Sequence, residues 1–137
     1  MRKFVPAALV AALALAVFAV PASARIDHHF SVIAHQYTQH QRGNVFSFRE
    51  QLFQSDNPDN QVGNDRVRCR EARDHKFRCR ATINFNGEVG GLGSLRVNGN
   101  LGRGDDRLNV LGGTGDFVGV AGKILAHGHH LHFALVR

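Results

Sequence analysis

The chain has 137 residues, the length of one domain, and its 43% hydrophobic and 20% charged residues exclude a disordered chain. Fifteen glycines and one methionine favour many tight turns, which argues against a helical bundle, and the length excludes a large multi-site enzyme. The net charge of +6 attracts anionic surfaces or polymers but does not identify a partner.

The first 24 residues have the pattern of a secretory signal peptide. Arg2 and Lys3 precede an apolar run over 4–20, and Ala22-Ser23-Ala24 is a small-x-small cleavage site. An uncleaved membrane anchor is the alternative, but a run of about 17 residues is shorter than the roughly 20 needed to span a bilayer. We therefore expect cleavage after Ala24 and one exported domain over 25–137, without stable membrane insertion.

Cys69 and Cys79 are the two cysteines of the chain. Outside the reducing cytosol their default state is a disulfide, and two cysteines are too few for a zinc site without histidine partners. We therefore predict a structural disulfide that contributes about 2 to 3 kcal/mol by constraining the unfolded chain.

Apolar and polar residues alternate along most of the exported part, which is typical of half-buried strands. The clearest case is 76–86, where Phe77, Cys79, Ala81, Ile83 and Phe85 fall on one face. Eight short strands separated by turn residues predict an all-β sandwich or barrel. The predicted strands cover about 28–37, 44–53, 65–72, 76–86, 88–97, 107–112, 117–126 and 129–136.

Turn-forming residues support this interpretation. The segment 56–60, Asp-Asn-Pro-Asp-Asn, predicts a loop between strands. Most glycines lie between Gly87 and Gly122, where they permit the sharp corners that curl a sheet closed. An eight-stranded barrel is just wide enough to be filled by side chains or to hold one small ligand.

The segment 111–124, Leu-Gly-Gly-Thr-Gly-Asp-Phe-Val-Gly-Val-Ala-Gly-Lys-Ile, resembles the signature hairpin of dirigent proteins and allene oxide cyclases. The strand over 44–53, the loop over 56–63 and the two cysteines follow in the order of their small secreted bacterial relatives. Ala121 departs from the signature, since dirigent proteins carry Arg there and the cyclases Tyr.

The resemblance implies an eight-stranded antiparallel β-barrel that holds a small hydrophobic molecule, often in a homotrimer. Dirigent proteins orient phenoxy radicals and the cyclases fold a reactive epoxide, so confinement fixes which atoms meet. We therefore expect this chain to bind a small apolar molecule and to steer its coupling or cyclisation. Whether it turns the ligand over or only holds it stays open. Phe46, Phe48, Phe77 and Phe85 are the expected apolar wall.

Glu50 is the candidate catalytic residue. It shares strand parity with Phe46, Phe48 and Leu52, so it points into the barrel if those phenylalanines do. Burial raises the pKa of a carboxyl group and suits it to proton transfer. The alternative is that Arg49, Gln51 and Phe53 face inward instead, or that Glu50 pairs with an arginine at the rim.

We predict no cofactor. Gly119 stands one position too late after Gly113 and Gly115 for a dinucleotide fingerprint, and no helix pattern follows. We assign no metal site, although His130 and His132 project from one face of a strand at about 6.6 Å and could share a metal if a third ligand approached. The alternative is a solvated outer face.

Arg68, Arg70, Arg78 and Arg80 flank the two cysteines. If Cys69 and Cys79 face each other in a hairpin, Arg70 faces Arg78 and Arg68 faces Arg80, and like charges in register are destabilising. Either the disulfide offsets this repulsion or an anion lies between the arginines. The rival function is therefore a non-enzymatic exported barrel that binds anionic polymers or metal on its outer surface. Nucleic acid is not favoured because no aromatic residue is available on that face for base stacking.

Overall fold

The structure is a computed structural model that describes residues 28–102 and 106–137. The chain forms a closed barrel in which each strand pairs antiparallel with its sequence neighbours and β8 pairs with β1. This confirms the predicted all-β, eight-stranded antiparallel barrel, whereas the predicted signal peptide lies outside the described residues. The strands are β1 (His28–Arg42), β2 (Val45–Gln54), β3 (Gln61–Glu71), β4 (Phe77–Asn86), β5 (Leu92–Leu101), β6 (Asp106–Gly113), β7 (Ala121–His127) and β8 (His130–Val136).

Several strand boundaries differ from the predictions by about four residues, including the start of β3 and the end of β5, and three of the differences have a local backbone cause. β1 continues to Arg42 through a bulge between Gln36 and Thr38, which lets it follow the whole of β2. β5 begins at Leu92 and not near 88, since Gly87, Gly90 and Gly91 take positive φ in the preceding turn. The signature segment forms the β6–β7 connection, and the 3-10 turn Gly115–Phe117 within it delays β7 to Ala121.

One end of the barrel is filled by aromatic side chains. Phe30 stacks on Phe133 with ring centroids 4.6 Å apart, and Phe85 contacts both rings edge-on at 5.5 Å. Phe117 of the β6–β7 connection lies beneath them, 5.4 Å from Phe85. Buried aliphatic residues complete this core, namely Val32, Leu52, Val62, Ile83, Leu95, Ile124 and Leu135.

Gly122 shows how glycine permits the barrel to close. Its φ is +143°, and a Cβ at this position would collide with the backbone carbonyl oxygen of Ala134 on β8. Only glycine tolerates both conditions, so the β7–β8 contact depends on it.

A disulfide joins Cys69 and Cys79 across β3 and β4, as predicted. The two cysteines are direct partners in the β3–β4 register, and the same register sets Arg68 against Arg80 and Arg70 against Arg78. Both cysteines point inward, where they form a small second core with Val67. The connection is not a simple two-residue turn, because a 3-10 turn over Arg73–His75 lies between the strands.

None of the helices within 28–102 and 106–137 has the length and apolar character needed to cross a membrane.

Candidate functional site

A cavity of about 270 Å³ lies inside the barrel, on the side of the core opposite the aromatic cluster. Its wall is largely apolar, with Phe48, Val67, Ile83 and Leu108 among its members. A few polar groups converge on it, which is the usual character of a small-molecule site. They belong to Gln36, Glu50, Asp65, Arg80, Asp106 and His129.

Two carboxyl groups face each other in this cavity. Glu50 of β2 and Asp65 of β3 are direct partners in the β2–β3 register. Glu50 lies on the same side of β2 as Phe48 and Leu52. Asp65 lies on the same side of β3 as Val67 and Cys69. Both carboxyl groups therefore point into the lumen. The strand pattern therefore brings two acids together where water has little access.

Asp65 is the buried polar residue of the described chain, with 5% of its surface exposed. Burial raises the pKa of Asp65 to about 8, the negative charge of Glu50 adds to the rise, and a hydrogen bond from the Glu50 backbone N–H opposes it. The Oδ1 atom of Asp65 is buried without a hydrogen-bond partner. Asp65 is therefore a largely protonated acid at neutral pH, with one oxygen free to contact a ligand.

Glu50 is half-buried and lies within the electrostatic range of His129. Burial raises the pKa of Glu50, while the positive charge of His129 partly opposes that rise. His129 stands in the β7–β8 turn, where its carbonyl oxygen accepts a hydrogen bond of 2.8 Å from the backbone N–H of Ala34. This bond holds the turn against β1, so the His129 side chain is positioned at the cavity.

The four predicted wall phenylalanines occupy different places. Phe48 lines the cavity, and together with Phe46 and Phe77 it also lines a separate shallow pocket of about 230 Å³. Phe46 and Phe77 contact edge-on at 5.3 Å. Phe85 instead packs within the aromatic cluster at the filled end. The structure thus brings only Phe48 to the two carboxyl groups.

The predicted anion-binding arginines project outward from β3 and β4. Arg68, Arg70, Arg78 and Arg80 are all exposed and border a surface cleft of about 450 Å³ with Val45 and Cys69. This cleft lies over the disulfide, and Arg80 borders both the cleft and the interior cavity.

His130 and His132 lie on the outer face of β8, with ring centroids 6.4 Å apart and nearly parallel planes. The Nδ1 atom of His132 shares a 2.5 Å hydrogen bond with the hydroxyl of Ser31. Within the described ranges no third histidine, cysteine or acidic side chain joins them in a metal-binding group.

Comparison with known proteins shows the fold and no family. No protein-family model and no curated protein sequence matches this chain. Among solved structures, the chain is similar to a pyocyanin demethylase, with a TM-score of 0.64 and 16% sequence identity. The match covers 78% of this chain and 98% of the demethylase. This likeness supports the barrel but does not establish the dirigent and allene oxide cyclase relationship.

The interior groups are equipped for proton transfer. A neutral Asp65 can donate a proton, and the Glu50 carboxylate beside it can accept one. When two carboxyl groups lie in environments that keep one protonated and the other ionised, the first can act as the acid and the second as the base. Because Asp65 and Glu50 interact, each titration step that is observed describes the pair of carboxyl groups and not one residue alone.

Asp65 and His129, the two residues that act with Glu50, were absent from the sequence predictions, as were Gln36 and Asp106 of the cavity wall. Asp65 is the first residue of the predicted strand over 65–72 and lies in phase with Cys69, so the alternation of that strand already places it on the inner face. His129 stands in a histidine-rich tract, and its approach to Glu50 depends on how the β7–β8 turn meets β1. Local sequence carries no signal for that contact.

Proposed function

We propose that this protein is an exported barrel that binds one small, largely apolar molecule and transfers protons to and from it. The observation that carries the proposal is the buried Asp65 carboxyl group, whose unpartnered oxygen lies beside Glu50 in a cavity. An unsatisfied buried acid is costly unless a ligand uses it, so the site favours a ligand with a polar atom near one edge.

The reaction that fits is an isomerisation. Asp65 protonates a basic atom of the bound molecule, and Glu50 removes a proton from a second atom of that molecule. Passage of the proton from Glu50 back to Asp65 restores the pair, so no other reactant is consumed. His129 stabilises the Glu50 carboxylate in its basic form.

The resemblance adds finer features to this proposal. A dirigent or cyclase-like barrel would use the same confinement to steer coupling or cyclisation, and it would assemble as a trimer. The solved demethylase is named for a small molecule, pyocyanin, which agrees with a small-molecule role for this barrel. The disulfide agrees with an oxidising compartment and hence with export.

A fluorescent base tests the proposal without knowledge of the natural substrate. Methoxyquinoline is small, largely apolar and emits differently when neutral and when protonated. We expect the purified protein to bind it and to hold it protonated at a pH where the free base is neutral. Glu50→Gln and Asp65→Asn together should bind the probe without protonating it.

Asp59→Asn is the matched control, because it removes an exposed carboxylate from the loop between β2 and β3. This variant should behave as the parent protein does. The proposal fails if the probe does not bind, or if the bound probe has the same emission in the parent protein and in the double variant. Mass spectrometry of small molecules that co-purify with the parent protein then identifies the ligand class.

A further inference from the structure

Seven exposed arginines project from the outer surface of four adjacent strands. We call this surface the arginine face, and it consists of Arg49 on β2, Arg66, Arg68 and Arg70 on β3, Arg78 and Arg80 on β4, and Arg96 on β5. It lies outside the barrel wall, although Arg80 also borders the interior cavity, and binding of a polymer on this face does not require the proposed function.

The arginine face is not neutralised by acidic neighbours. Along the outward positions of β3, β4 and β5 none of the remaining residues is acidic; they are asparagine, threonine and serine, with the exposed Leu92 at the start of β5. Among the side chains that the structure describes, the ion pair present is His75 with Glu71, beyond the end of the face. Arg68 facing Arg80 and Arg70 facing Arg78 therefore repel each other in register. A surface that keeps such pairs without counter-charges has the composition of an anion-binding site.

The arginines form a regular array and not a single pocket. Register sets Arg49 against Arg66 and Thr82 against Arg96, in a row next to the two facing pairs. Neighbouring strands are about 4.8 Å apart, and alternate residues along a strand are about 6.7 Å apart. Guanidinium groups at these spacings match the repeated carboxylate or sulfate groups of a polymer. Each guanidinium group can donate two parallel hydrogen bonds to one such anionic group.

Amide and hydroxyl side chains lie between the arginines. Asn98 faces Arg80 across β4 and β5, and Asn100 faces Arg78. Asn64 and Asn84 continue the face and are joined by a 3.2 Å hydrogen bond. Such groups bind the hydroxyls of sugars. We propose that the arginine face binds an acidic polysaccharide, a polymer that carries both negative groups and hydroxyls.

Other polyanions fit this face less well. Proteins that bind single-stranded nucleic acid use aromatic side chains on which successive bases stack. The outward positions of β3, β4 and β5 carry no aromatic residue. Tyr37 supplies one ring at the margin, beside Arg49 and Arg66. An anionic membrane favours apolar side chains among the basic ones for insertion, and the cleft between the facing arginine pairs offers only the half-buried Val45.

The test uses polygalacturonate, with neutral dextran, duplex DNA and phosphatidylglycerol vesicles as alternatives at equal salt. We expect the protein to bind polygalacturonate, to ignore dextran, and to lose affinity as salt rises. Arg68→Gln and Arg78→Gln together should weaken binding at least tenfold. Because each removes one charge from a facing pair, this double variant should unfold at a higher temperature than the parent protein, so misfolding cannot explain the loss.

Lys123→Gln is the control for charge alone, since it removes one exposed cation from β7 on the opposite wall. The affinity of Lys123→Gln for polygalacturonate should equal that of the parent protein, whereas Arg68→Gln alone should bind polygalacturonate more weakly. Asn98→Ala should weaken polygalacturonate severalfold and leave inorganic polyphosphate unchanged.

Three results would overturn the proposal. The first is the absence of polygalacturonate binding at low salt. The second is equal binding by the parent protein and the double arginine variant. The third is tighter arginine-dependent binding to DNA or to vesicles, which would assign the face to that class of partner instead.

Discussion

Asp65→Asn should make this protein more stable at alkaline pH. The parent carboxyl group is buried, opposite Glu50, and must ionise in an apolar cavity. Asparagine has nearly the same shape, keeps an oxygen for the Glu50 backbone N–H, and offers an amide to the Glu50 carboxylate. The substitution removes the ionisation and leaves the packing almost unchanged.

The size of the effect follows from the pKa of Asp65. Its ordinary value is 3.8, and the folded protein raises it to about 8. A folded pKa above the unfolded one means that the unfolded chain loses its proton first, so stability falls as pH rises from about 4 to about 8. At 1.36 kcal/mol for each pKa unit the loss reaches at most about 6 kcal/mol. That is a large part of the 5 to 15 kcal/mol typical of a domain.

Denaturant unfolding between pH 4 and pH 9 measures this directly. The parent protein should lose several kcal/mol relative to Asp65→Asn over that interval, and the two should converge near pH 4. Asp59→Asn, the exposed control, should follow the parent at every pH. A difference between the parent protein and Asp65→Asn that does not change with pH would show that the pKa of Asp65 is not raised by folding.

Four further predictions concern the site and the barrel. Glu50→Gln removes the negative charge beside Asp65, so the pKa of Asp65 should fall, as read from its carboxyl carbon by NMR. Reduction of the Cys69–Cys79 disulfide should lower the free energy of unfolding by about 2 to 3 kcal/mol in denaturant titrations. Leu52→Ala deletes a fully buried side chain and should cost about 2 to 5 kcal/mol in the same assay. Gly122→Ala combines a strained φ with a backbone collision, so its melting temperature should fall further than that of Gly119→Ala, where the space is open.

The fold was predictable because its signals are local. Alternation over 76–86 fixes which side chains face inward, and the opposed cysteines fix the β3–β4 register. Strand ends were less predictable, since they depend on partners distant in sequence. β1 extends to Arg42 because β2 is there to pair with it, and no property of 38–42 alone requires a strand.

The interior site was predictable in part. Parity with Phe48 and Leu52 places Glu50 on the inner face, and the structure has it there. The partner, Asp65, results from the β2–β3 register, which shifts near Leu52. Phe85 shows the limit of parity, because it faces inward as its strand predicts but lies at the filled end of the barrel. The position of a side chain along the barrel axis depends on the stagger of all eight strands, which alternation within one strand does not reveal.

The most direct measurement is a pH titration of the Asp65 carboxyl carbon by NMR, with and without methoxyquinoline. We expect a midpoint near 8 in the free protein and a change in that midpoint when the base is bound. A midpoint near the ordinary 3.8 that the base does not alter would contradict it, because Asp65 would then be an ordinary carboxylate that makes no contact with a ligand.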